Sequence, residues 1–453
     1  MKVHFIAVGG AVMHNLAIAL VKKGYHVTGS DDEIFEPALS SLRNWGILPA
    51  EAGWFPEKIT PELDAIILGM HAKKGNPELD RAIELGLKIY SFPEYLYQQS
   101  ENKTRVVVAG SHGKTTITSM IMHVLSELKI DFDYLVGAKI EGFDIMVRLS
   151  DAPVIVIEGD EYLTSPLDPL PKFLHYKPHI ALISGIAWDH INVFPTFEGY
   201  KEQFRLLIQS IEPNGNLVFC RDDETLTEVV KETGWAGRTT PYYLPSYQSE
   251  EGKTWIADED QTLYPLNVFG KHNLLNINGA KEVCKLLGVS DSDFYTAISH
   301  FKGAANRLQL LANNDHSAIF KDFAHAPSKL KATVDAVKFQ YPARKLIAVM
   351  ELHTYSSLSR HFLGHYRGCM DQADVPVVFF DPHAIALKKL TPITVEDVLE
   401  GFAKPNLKVF IDSEQLKSFI QQQSLNNANL LMMSSGNFGG IDVKKLAEEM
   451  IGK

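Results

Sequence analysis

The segment Val106-Val107-Val108-Ala109-Gly110-Ser111-His112-Gly113-Lys114-Thr115-Thr116 constrains the fold more than any other stretch of the 453-residue chain. A run of β-branched residues reads as a buried strand. Gly110 and Gly113 then let the backbone turn tightly and approach another group closely. Residues to about Lys129 read as a helix. A strand, a glycine turn and a helix start, in that order, aim backbone N–H groups at one point, and phosphate oxygens fit there. Lys114 would reach terminal phosphate oxygens, and the Thr115 hydroxyl would face a magnesium ion. The general eight-residue pattern wants glycine where this chain has Val108, so the loop is short by that rule.

Such a loop needs a parallel sheet around it, and the rest of the chain supplies the pattern. Strands are expected at Val3 to Val8, His26 to Thr28, Ala65 to Leu68 and Leu87 to Tyr90, with helices at Asn15 to Lys23 and Pro77 to Leu85. The polar run Gln98 to Lys103 predicts a linker. A second block holds strands at Arg105 to Ala109, Val154 to Ile157 and Ile180 to Ile183, and a helix from Gly270 to Leu287. Residues 221–266 show no clear pattern. A third block holds strands at Ala318 to Lys321, Leu346 to Met350, Val375 to Phe380, Lys408 to Ile411 and Asn429 to Met433. Alternation of this kind predicts an α/β protein with parallel sheets. The expected division is residues 1–102, 103–309 and 310–453.

Composition excludes some functions. A formal net charge of -11 argues against a general nucleic-acid binder. No stretch of about 20 apolar residues is present to span a membrane. Cys220, Cys284 and Cys369 lack paired spacing and read as reduced thiols of a cytoplasmic protein.

Further chemistry gathers at the ends of expected strands, where open α/β sheets bind ligands. Glu158 ends one strand and suits magnesium; Asp160 and Glu161 follow it as ligands or as a solvated pair. His190 follows another strand, as a second metal ligand or a helix-capping histidine. Asn273 and Asn276 share a helix face, placed to read a base edge or to cap the helix. Arg307 sits in a loop, where it would neutralise a transferring phosphoryl group or form a surface ion pair. Asp322 ends a strand ahead of His325, as a ribose ligand or a cap. Gly9 and Gly10 follow the first strand, and Ser30 and Asp31 the second. Ala11 and His14 break the dinucleotide glycine pattern, but the turn still suits a diphosphate on a helix start.

These pieces, in this order and over essentially the whole chain, resemble the Mur ligase family of ATP-dependent amide ligases. The motifs are Gly110 to Thr116, Glu158-Gly159-Asp160-Glu161-Tyr162, Asp189-His190, His272-Asn273-Leu274-Leu275-Asn276, Arg307 and Asp322-Phe323-Ala324-His325-Ala326-Pro327. The short loop is normal in that family. The resemblance implies three domains: an N-terminal Rossmann-like UDP-binding domain, a central P-loop ATPase with a mostly parallel sheet, and a C-terminal Rossmann-like domain. It implies ATP bound by Gly110, Ser111, His112, Gly113, Lys114, Thr115, Thr116, Asn273, Asn276, Arg307, Asp322 and His325. Magnesium would lie on Thr115, Glu158 and His190, with Lys114, Glu158, His190 and Arg307 catalytic.

Gly9-Gly10-Ala11-Val12-Met13 and Val27-Thr28-Gly29-Ser30-Asp31 resemble the branch whose donor is UDP-N-acetylmuramate. Gly9, Gly10, Met13, Ser30, Asp31 and Asn76 would bind it. Gly75-Asn76-Pro77 and the run Met433 to Ile441 resemble members that add a whole murein peptide, L-Ala-γ-D-Glu-meso-diaminopimelate, in recycling. Glu351-Leu352-His353-Thr354-Tyr355-Ser356 resembles members that add L-alanine, which keeps that acceptor open. The expected state is a monomer or weak homodimer. A folylpolyglutamate-synthase-like ligase would have no use for residues 1–100. A non-catalytic UDP-sugar sensor would have no use for Lys114, Glu158, His190 and Arg307.

Overall fold

The computed structural model describes residues 1–165, 168–188, 193–250 and 252–451. Four sheets carry the described residues. The first is parallel throughout, in the order His26–Ser30, Lys2–Ile6, Ala65–Leu68, Ile89–Ser91. The second has seven strands, in the order Arg238–Tyr242, Asn216–Cys220, Ile180–Ile183, Thr104–Ala109, Val154–Glu158, Asp133–Leu135, Val147–Arg148. All its pairings are parallel except the last. A three-stranded antiparallel sheet, Tyr247–Glu250, Lys253–Ala257 and Leu263–Leu266, follows. The last sheet runs Gln309–Asn313, Ala318–Asp322, Ala428–Met433, Lys345–Leu352, Val375–Phe380, Lys408–Phe410, with one antiparallel pair at its first edge. The three α/β blocks expected from the alternation are therefore present.

The chain forms two compact units. One comprises Met1–Ile186, Thr196–Tyr243 and Gly279–Ser290; the other comprises Ala187–Pro195, Leu244–Asn278 and Asp291–Lys453. In the first unit, Thr104–Ala109 lies between Ile180–Ile183 and Val154–Glu158 at the centre of its sheet. Val106, Val107, Val108 and Ala109 are wholly buried, as a strand covered on both faces requires. Val108 fills that core, which explains why no glycine stands there. In the second unit, Leu330 and Val334 pack on one face of the six-stranded sheet, and Val443 and Leu446 on the other. The sheet is covered on both sides.

Local signals account for most element ends. Helix Pro77–Glu84 starts where Asn76 accepts the N–H groups of Glu78 and Leu79, with proline in its first turn. Helix Ala11–Lys22 begins four residues before the expected Asn15, because Gly10 caps it with backbone alone. The run 98–103 is no loose linker. Gln98 ends a helix, the Ser100 hydroxyl bonds to Leu96 O, and the Lys103 ammonium pairs with Asp133 at 2.9 Å. The unpatterned residues 221–266 contain helix Glu224–Glu232, strand Arg238–Tyr242 and the antiparallel sheet. Among the described residues no helix is long and apolar enough to cross a membrane.

Candidate active site

The phosphate loop runs from Ala109, at the end of the central strand, to helix Lys114–Glu127. Gly113 caps that helix at φ 77°, and Gly110 lies at φ 122°; both values favour glycine. A Cβ on Gly110 would also stand 2.2 Å from Ser184 Oγ. Ser184 follows the neighbouring strand Ile180–Ile183, and its hydroxyl bonds to His112 O, fixing the turn from one side. Ser111 N–H donates to Gly185 O at 3.0 Å.

Carboxylates from the other neighbouring strand fix it from the second side. The Thr115 hydroxyl donates to Glu158 Oε1 at 2.9 Å, and Gly137 N–H donates to Glu158 Oε2 at 2.8 Å. Lys114 Nζ donates to Gly110 O at 2.8 Å and to Glu161 Oε2 at 2.6 Å. The Tyr200 hydroxyl donates to Glu161 Oε1 at 3.2 Å and lies 2.9 Å from Ser111 Oγ. Burial works to lower the Lys114 ammonium, but Glu161, Asp160 and Glu158 outweigh it and hold it above the ordinary lysine value. Desolvation works against the Asp160 carboxylate, yet Lys172, 2.5 Å away, and Lys114 hold it below the ordinary value. The Thr115 hydroxyl and Glu158 carboxylate form a pair of hard oxygen donors, the set that magnesium takes.

At the end of the first strand, Gly9 N–H donates to Asp31 Oδ2 at 2.7 Å. Met13, Ser30, Asp31 and Asn76 are all buried. Burial pushes the Asp31 carboxyl above the ordinary value. A cavity of about 440 Å³ opens beside Gly9, with His14, Phe35, His71 and Lys139 in its wall.

The remaining expected nucleotide residues belong to the second unit. Arg307, Asp322 and His325 meet in one loop cluster. Leu308 N–H donates to Asp322 Oδ2 at 2.5 Å, and Ala324 N–H to Oδ1 at 2.6 Å. The Arg307 guanidinium lies 4.6 Å over the Phe323 ring, and His325 Nδ1 is 2.8 Å from Phe323 O. Burial raises the Asp322 carboxyl against the pull of those N–H groups and Arg307. Much of this acid's hydrogen-bonding capacity therefore goes into closing its own loop. Asn273 and Asn276 are buried in the first turns of helix Lys271–Leu286, where Asn273 Nδ2 donates to Phe269 O at 2.9 Å. His190 and Asp189 lie outside the described residues.

Sequence reasoning singled out neither Tyr200 nor the cavity side chains Phe35, His71 and Lys139. Tyr200 stands 39 residues beyond Glu161 on helix Phe197–Gln209. No local spacing announces it. His71 and Lys139 are far apart in sequence, and only the fold brings them into one wall.

A buried phosphate loop with a carboxylate-paired lysine and a hydroxyl–carboxylate pair defines a nucleotide-using α/β enzyme. Residues 2–104 match the family described as "Mur ligase family, catalytic domain", and residues 108–284 match "Mur ligase middle domain". The chain belongs to the Mur ligase family of ATP-dependent ligases. It is 26% identical to the UDP-N-acetylmuramate–L-alanyl-γ-D-glutamyl-meso-2,6-diaminoheptandioate ligase of Haemophilus influenzae, across 98% of each chain. It is 30% identical to a UDP-N-acetylmuramate–L-alanine ligase of Clostridium kluyveri, across 78% of each. The crystal structure of a murein peptide ligase from Psychrobacter arcticus superposes with a TM-score of 0.66 at 23% identity, covering 100% of this chain and 99% of that one.

Proposed function

We propose that the protein joins the lactyl carboxylate of UDP-N-acetylmuramate to the amino group of a murein peptide, L-Ala-γ-D-Glu-meso-diaminopimelate, in the cytoplasm. The observation that carries the reading is Lys114 on its glycine loop beside the Thr115–Glu158 pair, in a chain alike over its full length to a peptide-adding ligase. Residues 1–102 would hold the donor, 103–309 the nucleotide and 310–453 the peptide. The Gly9 turn and its cavity suit a UDP-sugar: the start of helix Ala11–Lys22 and the Lys139 ammonium favour a diphosphate, with Asp32, Glu33, Glu36 and Asp144 in the same wall opposing it.

The donor carboxylate would attack the γ-phosphate of ATP, giving an acyl phosphate and ADP. The peptide amine would then displace phosphate from the acyl carbon. Such a transfer needs positioning and charge neutralisation more than covalent help from the protein. Lys114 and Arg307 neutralise the phosphate oxygens. Asn273 and Asn276 meet the adenine, and Asp322 and His325 the ribose. Thr115 and Glu158 would hold a magnesium ion, with His190 as ligand to a second, and the bound metal would draw charge off the γ-phosphate. Domain closure would keep water from the acyl phosphate.

The acceptor is tested by ADP release. With ATP and UDP-N-acetylmuramate, the tripeptide should support turnover and free L-alanine should not. The converse result would install the second reading, the L-alanine ligase, which the run Glu351 to Ser356 and the Clostridium kluyveri relative favour. ADP release with neither acceptor would count against both. The expected monomer or weak homodimer is checked by sedimentation.

A further inference from the structure

A second group of metal-ligating side chains shares no member with the Thr115–Glu158 pair. Glu94, Asp168 and His175 each place one donor atom within 4.8 Å of the other two. Glu94 lies in the first turn of helix Phe92–Gln98, the last helix of the first α/β block. His175 ends the short 3-10 helix Lys172–His175 of the second block, and Asp168 lies in the loop before it. All three belong to one compact unit.

The geometry at His175 is not that of a hydrogen-bonded ion pair. Nε2 is a buried atom 2.8 Å from Asp168 Oδ2, yet it makes no hydrogen bond, so the contact lacks the alignment a shared proton needs. A buried ring nitrogen left in this way is costly unless something else meets it. Two donors on one metal ion stand about 3 Å apart without facing each other, because bonds of about 2.0–2.2 Å meet at the ion. The carboxylates are also set from behind. Asp168 Oδ1 accepts the Leu170 N–H at 3.0 Å, and Glu94 Oε2 accepts the Ser91 N–H and hydroxyl, each at 2.7 Å. Such partners orient carboxylates on an ion and leave Asp168 Oδ2 and Glu94 Oε1 to meet it. The Lys172 ammonium, on the same short helix as His175, turns instead to Asp160 at 2.5 Å.

An imidazole with two carboxylates suits a borderline divalent ion, and zinc takes both ligand types. We propose that Glu94, Asp168 and His175 bind a zinc ion that clips helix Phe92–Gln98 to the segment ending at His175. That segment is bonded to the loop after strand Val154–Glu158, through Lys172 N–H to Tyr162 O and Phe173 N–H to Asp160 O. The clip therefore ties the first block to the second. Its simplest rival is a protonated His175 paired with Asp168 and no metal.

Calorimetric titration of the chelator-stripped full chain with zinc chloride, without nucleotide, separates the two. Wild-type protein should take up one zinc ion in a distinct step and melt higher with zinc than in chelator. Glu94→Gln and Asp168→Asn keep acceptors for Ser91 and Leu170 but remove the charge, and His175→Gln removes the ring. Each should weaken the step by at least about tenfold, cancel the rise in melting, and melt close to wild type in chelator. Glu158→Gln, which alters the magnesium pair, should leave the step unchanged. No step in wild type, a step untouched by the three substitutions, or one lost in Glu158→Gln would overturn the proposal. So would variants that melt lower in chelator while zinc leaves wild type unmoved, which is the result the ion pair gives.

Discussion

The chain turns twice from a buried parallel strand into a helix through glycine, at Gly9-Gly10 and at Gly110 to Gly113, and the two turns handle charge in opposite ways. At the first, the nearest charged group is a carboxylate: Asp31 accepts the Gly9 N–H at 2.7 Å. A Cβ on Gly9 would fall 2.9 Å from that oxygen. Glycine is needed there for contact and not for its backbone angle, since neither Gly9 nor Gly10 has a positive φ. At the second, the nearest charged group is the Lys114 ammonium, and Gly113 is needed for its φ of 77°. The same strand–turn–helix unit can therefore serve a ligand mainly by shape or mainly by charge. The first turn suits a neutral sugar or a diphosphate held by helix and backbone, the second a terminal phosphate.

The sharpest way to break this comparison is to remove the cation. Lys114→Ala should lower ADP release by roughly 10³-fold or more, because a partly buried charged donor acts on charge developing in transfer. Binding of UDP-N-acetylmuramate, measured by calorimetry, should stay within about twofold of wild type. Near-normal turnover would take phosphoryl transfer away from this loop. Lost donor binding would show that the two turns are not independent.

Next in size is the shape of the first turn. Gly9→Val sets side-chain carbon against Asp31 and Ile34, where the nearest distances are already 2.9 Å and 3.2 Å. Donor affinity should fall by roughly 10- to 100-fold, the equivalent of an overpacking cost of about 1–3 kcal/mol. Magnesium–ADP affinity should not move. Unchanged donor affinity would place the UDP-sugar elsewhere.

The two turns also differ in how far they were legible in sequence. Val106 to Ala109 and Ala65 to Leu68 read correctly as strands because central parallel strands are apolar on both faces. Glu158 was placed at a strand end by the same logic. The pairing of Lys114 with Glu161 was not readable, since it depends on how two neighbouring strands bring their loops together. The strands Tyr247–Glu250 and Leu263–Leu266 escaped because they are four residues each and half exposed. They bury too little to show a hydrophobic period. Asn76 and Ser30, expected at the donor, join a buried polar cluster. Asn76 accepts the Glu78 N–H, and the Ser30 hydroxyl bonds to the Glu78 carboxylate.

That cluster yields the smallest of the predicted effects. Glu78 Oε1 accepts Phe55 N–H at 2.7 Å, and Oε2 lies 3.3 Å from His4 Nε2, with both side chains wholly buried. Burial works to raise the Glu78 carboxyl, but His4, Ser30 and the Phe55 N–H outweigh it and hold it below its ordinary value of 4.5. An acid whose folded value is depressed stabilises the fold above its unfolded value and loses that stabilisation as pH falls through the folded one. Wild-type melting temperature should therefore drop on acidification below about pH 4.5, and Glu78→Gln should drop less over the same window. At pH 7 the variant should melt about 2–4 °C lower, as a loss near 1 kcal/mol would give in a domain of this size. Scanning calorimetry across pH 3 to 7 reads both. Parallel acid limbs in the two proteins would remove Glu78 as the source, and a shift in magnesium–ADP affinity would show that this cluster acts on the second turn as well as the first.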